Sequence, residues 1–287
     1  MKLTDRAIGL AMRVYRKSPF WPYAGKFLAK ALARFSKTDR VVQMEIDGLA
    51  YELHLNEVID SSIYYSRTFE TNIERLMDDL VQPGMTVLDI GANVGYHTVR
   101  LARNTGPEGR VIAIEPTAWA RQRLEKNIQL NGLANCSIQA LGLSDAEEGI
   151  CRVFFQSSYP LHGQPHVIEE SIRLTSLHVL AGEIGLSHVG FIKLDVDGFE
   201  EKVIAGAMKI LERDHPILLI EVTPPPASDK KSQVLSMLES LGYQFFDESR
   251  RVVPNASTNR AWRKGQSPVN LIAVTEAHSL NLGRGRN

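Results

Sequence analysis

The sequence has no long hydrophobic run. No stretch approaches the roughly 18 apolar residues of a membrane-spanning helix, and Asp5, Arg6 and Arg13 interrupt the first fifteen residues, so a secretory segment is not expected there. Cysteine is scarce as well. Cys136 and Cys151 are the only two, too few for a disulfide framework and without metal-site spacing, which fits a reducing, cytoplasmic setting and inert buried thiols. Net charge is absent: 33 Lys and Arg balance 33 Asp and Glu, whereas a whole-surface nucleic-acid binder is usually far more basic. There is no internal repeat. Hydrophobic residues at 44% and charged residues at 23% exclude disordered and fibrous classes, leaving one large globular domain, or one with an appendage, in 287 residues.

The neutral total hides an asymmetry. Residues 1–40 carry ten Lys and Arg against Asp5 and Asp39, with Phe20, Trp21, Tyr23, Phe27 and Phe35 among them in two helical-looking runs. Such a basic, aromatic-bearing arm suits an anionic membrane surface, and equally suits packing on its own domain or on a second copy in a homo-oligomer. The chain therefore divides into a basic helical arm at 1–40, a hairpin and helix at 41–82, a core at 83–275 and a flexible tail at 276–287.

From Val41 to Leu55 apolar and polar residues alternate around Asp47-Gly48, a hairpin signal. Thr71 and Glu74 have capping-box spacing, and Ile73, Leu76, Met77 and Leu80 form one helical face before Pro83-Gly84. Strand and helix then alternate. The expected strands are Thr86–Ile90, Arg110–Ile114, Ser137–Leu141, Phe191–Leu194, Ile217–Val222, Tyr243–Phe246 and Asn270–Val274. The expected helices are Tyr96–Arg103, Thr117–Leu130, Glu200–Arg213 and about Asp229 to Leu241. Alternating units with continuously apolar strands mean an α/β fold with a largely parallel, doubly wound sheet. Two stretches, Gln156–Glu170 and Arg250–Ser267, break the rhythm and are candidate substrate lids.

Asp89-Ile-Gly91-Ala92-Asn93-Val-Gly95 lies where the first core strand turns into a helix, the end of the sheet at which ligands bind. Asn93 stands where a dinucleotide fingerprint places its second glycine, which counts against a nicotinamide oxidoreductase. Glu115 closes the next strand, twenty residues beyond Gly95, where a carboxylate can accept both hydroxyls of a ribose.

These residues resemble the FkbM family of S-adenosylmethionine-dependent methyltransferases. The resemblance rests on Pro83-Gly84, on the run Asp89 to Thr98, and on Ile114-Glu115-Pro116. Leu141-Gly-Leu143-Ser144-Asp145 and Phe191-Ile-Lys193-Leu-Asp195-Val-Asp197-Gly198 complete it, and it spans roughly Thr68 to Val274. It implies a Rossmann-like class I methyltransferase fold, a seven-stranded, mostly parallel sheet flanked by helices with an antiparallel last hairpin. It also implies an S-adenosylmethionine site over Gly91, Ala92, Asn93 and Gly95. Asp89 and Gly91 would hold the methionine end, Glu115 the ribose, and Pro116, Leu143 and Ser144 the adenine. Glu70 matches a position that often faces the cofactor. The chain departs from the family at Asp197, commonly Glu, and at His178, commonly an acid.

Transfer of a methyl group to a hydroxyl needs in-line alignment and removal of a proton, by a base or by a metal. Asp195 and Glu221 end adjacent strands. Together they could act as base or hold a divalent cation, and His97, one turn into the helix after the glycine loop, is a third candidate. Asp195, Asp197 and Glu200 also suit helix-capping and loop duties, and Lys193 suits pairing with a nearby acid. His162 and His166 have ligand spacing only in a helix, which Gly163 and Pro165 oppose; loop contact with a substrate suits them better. The reading is O-methylation of a sugar, glycolipid or secondary metabolite. The alternatives are transfer to nitrogen or protein, or a non-catalytic binding protein on this fold. Nucleic acid is not expected as a partner, because the Asn/Asp-Pro-Pro-Tyr/Phe block of many base-methylating enzymes is missing.

Overall fold

The alternation at Val41–Leu55 builds a hairpin of β1 (Val41–Ile46) and β2 (Leu49–His54), in register from Val41 opposite His54 to Ile46 opposite Leu49. Asp47 and Gly48 turn it with φ of 51° and 77°, positive at both positions as a type I′ turn requires. The computed structural model describes residues 40–147, 149–156, 167–222, 232–258 and 268–276. Among the sequence expectations, all of the arm except Arg40, the tail beyond Glu276, His162, His166 and Trp262 lie outside them.

The chain falls into two compact units. The first takes the described residues up to Thr71, with Gln129–Asn131 and Val153–Glu170. In it, Leu49, Tyr51 and Leu53 bury one face of β2, as period-2 alternation requires. The side-chain amide of Asn131 closes two hydrogen bonds with Ala50, accepting from its N–H at 2.8 Å and donating to its carbonyl at 2.7 Å. A helix that the sequence reading lacks, α1 (Val58–Ser66), carries buried Asp60, which accepts from the N–H of His54 at 2.6 Å. With its serines and Asp60 buried, α1 has no apolar stripe by which to be found.

The second unit is built on a seven-stranded sheet. In spatial order its strands are β11 (Gln244–Phe246), β12 (Val269–Val274), β10 (Ile217–Val222), β9 (Phe191–Leu194), β3 (Thr86–Ile90), β4 (Arg110–Ile114) and β5 (Cys136–Gln139). Every pair from β10 to β5 is parallel, and β12 runs antiparallel to both β10 and β11. Helices cover both faces. Leu88, Ile90, Ile192, Leu194, Leu218 and Ile220 pack against α5 (Leu177–Glu183), α6 (Glu200–Asp214) and α7 (Gln233–Ser240). Val87, Val111, Phe191 and Leu219 pack against α2 (Thr71–Leu80) and α3 (Tyr96–Thr105). This is the Rossmann-like class I methyltransferase arrangement, with helix α4 (Ala118–Leu130) between β4 and β5.

Two expected loops come out differently. Gln156–Glu170 is flanked and partly occupied by strands, since β7 (Gly149–Gln156) and β8 (Val167–Thr175) join β6 (Gly142–Leu143) in a small separate sheet. Glu169, Glu170 and Arg173 on β8 leave it without the apolar run that marks a buried strand. The described start of the other stretch, up to Thr258, packs into the second unit. Ala256 is buried in the core, Ser257 donates from its hydroxyl to Glu239 of α7 at 2.6 Å, and the carbonyl of Ser257 accepts from Ser232 at 2.9 Å.

Candidate functional site

Strand register decides which polar residues meet. Asp89 on β3 and Lys193 on β9 are Cα partners, Lys193 is in turn opposite Leu219 on β10, and Asp195 and Glu221 lie two residues further along their chains. Period 2 puts all of them on the α2 and α3 face, at the carboxyl ends of the strands. Asp89 is completely buried. One of its oxygens accepts from the hydroxyl of Thr98 on α3 at 2.6 Å; the other, Oδ1, has no hydrogen-bond partner and lies 3.9 Å from the Lys193 ammonium.

The loop after β3 is shaped by backbone, not by side chains. The N–H groups of Gly91 and Ala92 both donate to the carbonyl of Ile114, and Asn93 adopts φ 49°. Gly91 and Gly95 have φ of 80° and 84°. The sequence suggested that these glycines admit a ligand, but their Cα hydrogens face protein. A Cβ on Gly91 would sit 1.8 Å from the carbonyl oxygen of Asp195, and one on Gly95 2.5 Å from Leu124 Cδ1. Gly91 therefore brings the loop against the end of β9, and Gly95 brings α3 against α4.

Glu115 is buried and its carboxylate is held from two sides. Asn93 donates its N–H to Oε2 at 2.9 Å, while the N–H and hydroxyl of Thr117 donate to Oε1 at 2.8 and 2.7 Å. Burial pushes its pKa above the ordinary glutamate value, against these hydrogen bonds and the nearby Arg121 charge. A carboxylate offers about four acceptor positions, and three are taken, so room remains for one more donor. Pro116 follows, its carbonyl accepting from Arg121, and it borders Gly142, where an added Cβ would lie 3.9 Å from the proline ring. Leu143 belongs to the core, and the buried Ser144 donates its hydroxyl to Asp145 at 3.0 Å. Glu70 lies half-buried in the first unit, just before α2.

The catalytic candidates do converge. Atoms of Asp195, Asp197 and Glu221 lie within 4.8 Å of one another. The Lys193 ammonium, 3.2 Å from Asp195 Oδ2, holds the Asp195 carboxyl below the usual aspartate value despite its burial. A hydrogen bond with Glu221 and the charge of His97 add to the effect. Asp197, with φ 49°, is moved the other way, first by burial and then by the charge of Asp195. Sequence reasoning gave Asp197 and Glu200 equal standing. The structure separates them: buried Glu200 accepts from the N–H of Gly198 at 3.0 Å and so fixes the turn into α6. Thr98 and Thr117, hydrogen-bond partners of Asp89 and Glu115, were given no site role from sequence, although Thr98 closes the run that carries the resemblance and Thr117 follows the strand-end acid by two residues.

A cleft of about 680 Å³ opens elsewhere, at the amino ends of β4 and β5, between Arg103, Arg110, Leu133 and Cys136. Burial pushes the Cys136 thiol up to about 12, so it is unreactive at neutral pH, as expected of it. The carboxylates described above lie at the opposite end of the strands.

An S-adenosylmethionine fits the residues at that end. Its two cationic centres match an acidic strand end where Asp89 Oδ1 has no hydrogen-bond donor, and its ribose matches the one open acceptor position of Glu115.

Comparison with known proteins agrees. Residues 89–245 match the methyltransferase FkbM domain. Over 194 residues the chain is 26% identical to the AMB antimetabolite synthetase AmbE of Pseudomonas aeruginosa, a match covering 54% of this chain and 9% of that protein. A 40-residue segment, 14% of this chain and 17% of the other, is 50% identical to protein-L-isoaspartate O-methyltransferase of Triticum aestivum. The chain thus spans only a small part of these curated relatives. Among solved structures, an FkbM methyltransferase of Methylobacillus flagellatus aligns with TM-score 0.40 and 15% identity over 91% of this chain and 62% of that one. An S-adenosylmethionine-dependent O-methyltransferase of Thermotoga maritima aligns with TM-score 0.44 and 15% identity, over 83% and 77%. With a domain match over more than half of its length, the chain belongs to the FkbM methyltransferase family.

Proposed function

We propose that the chain transfers a methyl group from S-adenosylmethionine to a hydroxyl of a sugar, glycolipid or secondary metabolite. One observation carries the reading. The glycine loop that would hold the donor touches β9 at Asp195, where three carboxylates gather within 4.8 Å. A donor seated on Gly91–Gly95 thus lies beside groups able to bind and deprotonate a hydroxyl.

The donor supplies an activated methyl on a sulfonium. Asp89 and Glu115 would hold its methionine and ribose ends, and Pro116 would border the adenine. Among the carboxylates the division of labour follows from basicity. Asp195, depressed by Lys193, stays ionised and orients the acceptor hydroxyl by accepting its hydrogen bond. Asp197, raised by burial, is the stronger base and takes the proton on a carboxylate oxygen, which solvent can then relieve. Glu221 is bonded to Asp195 and keeps it aimed. His97 adds positive charge at the same place when protonated. The match to an antimetabolite synthetase segment supports a secondary-metabolite acceptor, and the short match to an O-methyltransferase supports oxygen.

Calorimetric titration with S-adenosylmethionine and its demethylated product tests the donor site. Binding that Glu115→Ala abolishes supports it, and no binding by the unaltered protein overturns it. Labelled methyl transfer to a panel of hydroxyl, amine and protein acceptors then tests the rest, and label found only on nitrogen or protein would sink the hydroxyl reading. A chelator discriminates a metal-held carboxylate trio, which loses turnover, from the base mechanism, which does not.

Residues 1–40, with their excess of Lys and Arg, are proposed to meet anionic lipid headgroups. Sedimentation with anionic liposomes should pellet the full chain more than a chain starting at Val41; equal pelleting removes the idea. Among the described residues no helix is long and apolar enough to cross a membrane.

A further inference from the structure

Lys193 is buried on a strand between two carboxylates with different duties. Its side chain is 6% exposed, its ammonium lies 3.2 Å from Asp195 Oδ2 and 3.9 Å from Asp89 Oδ1, and Asp89 is fully buried. Register makes this unavoidable: Asp89 and Lys193 are Cα partners on β3 and β9, and Asp195 follows Lys193 on the same face. A plain core position would be apolar here, as Leu219, the partner of Lys193 on β10, is.

We infer that Lys193 is a positioning residue that links the donor and acceptor halves of the site, holding Asp89 toward the donor's cationic end and Asp195 toward the acceptor at once. The inference rests on the methyl-transfer reading and adds a residue to it. Asp89 is fully buried while the Asp195 side chain is 38% exposed, so it is chiefly the Asp89 charge that would be costly without a partner, and the two like charges repel each other. The single ammonium answers both needs. Asp89 already has Thr98 on one oxygen, so Lys193 serves the other, the one with no hydrogen-bond donor. Asp195 also has a hydrogen bond with Glu221 and feels the charge of His97, while Lys193 holds its Oδ2 at 3.2 Å. A ligand drawn to Asp89 therefore meets a carboxylate whose orientation depends on the same ammonium that orients Asp195.

The experiment is a double-mutant cycle read by calorimetry with S-adenosylmethionine, using Lys193→Met, Asp89→Asn and the pair in the full chain. Lys193→Met should weaken donor binding at least tenfold, and the double variant should bind no more than threefold worse than Asp89→Asn alone. A general packing role predicts losses that multiply, and that result overturns the inference, as does unchanged binding by Lys193→Met. If Lys193→Met is too unstable to titrate, melting decides. Removing either orphaned carboxylate, in Lys193→Met Asp89→Asn or Lys193→Met Asp195→Asn, should raise the melting temperature above that of Lys193→Met, and a failure of both to do so refutes the link. Absence of donor binding by the unaltered protein would instead refute the methyl-transfer reading, and the melting comparison would still judge Lys193.

Discussion

Gly91 is where one hydrogen atom decides the site. Its φ of 80° is open to any residue only at a cost, and the place of a Cβ is already taken by the Asp195 carbonyl. Gly84 has nearly the same φ, 82°, with open space around it. Gly84→Ala should therefore cost only the conformational penalty, about 1–2 kcal/mol. Gly91→Ala should cost a further 1–3 kcal/mol or so as β9 is forced away, with loss of donor binding. Paired unfolding titrations check this, and equal losses would show that the loop does not press on β9. Glu115 is decided by the sign of its protonation. Burial raises its pKa, so its contribution to stability is full below the unfolded value near 4.5 and fades as pH rises through the folded value. Glu115→Gln should look worst against the natural protein at pH 4 and gain on it toward pH 7, while donor affinity falls at least tenfold at both. An amide nitrogen cannot accept from the N–H groups that now hold the carboxylate. Unfolding curves at the two pH values check the trend.

Elements were legible where a period was clean. Four strands, at Thr86, Arg110, Phe191 and Ile217, run between the residues expected of them, because buried parallel strands are short apolar runs with sharp ends. Helix α5 was missed, although Ser176 caps it by accepting from the N–H of Val179, because seven residues give too little periodicity. The helix expected from Asp229 is described only from Gln233, after Ser232 accepts at its N-cap. Helix α6 shows how an element end becomes a pH-sensitive joint. Asp214 is its last residue, and its buried carboxylate accepts from the N–H of Val189 at 2.9 Å, just before β9. Burial alone would raise its pKa, but hydrogen bonds from Arg213 and Val189 and the nearby His188 leave it below the ordinary aspartate value. Stability from Asp214 is thus present above about pH 4 and lost as pH falls through the depressed value. Asp214→Ala should cost about 1–3 kcal/mol at pH 7, since it orphans a buried N–H. The gap from the natural protein should narrow below pH 4, and a gap independent of pH would assign the loss to packing.

At the scale of the molecule, the site draws on four separated pieces of sequence: the turn after β3 with the start of α3, the end of β4, the end of β9 and the end of β10. The glycine loop and Glu115 were legible because a phosphate- or ribose-binding turn has a local spacing. That Lys193 pairs with a nearby acid was legible too, and Asp195 is that acid, but its closeness to Asp89 was not, since it depends on β9 lying beside β3, a fact of topology. The same dispersal makes donor binding a global event. Holding Asp89 and Glu115 at once ties β3 and β4 together, and Lys193, paired with Asp89, carries the tie to β9, so a bound donor should stabilise the sheet as a whole. At a hundredfold excess over its dissociation constant, mass action gives about 2.7 kcal/mol. For a chain of this size that is a melting shift of roughly 5–10 °C. S-adenosylmethionine should produce it in the natural protein and in His97→Gln, whose change lies on the acceptor side. It should not in Glu115→Ala. Hydrogen exchange should slow together in β3, β4 and β9, with the Asn93 and Thr117 amides, which hold Glu115, among the most protected. A shift confined to one strand would mean that the donor does not span these acids, and the assignment of Asp89 and Glu115 to one ligand would fail.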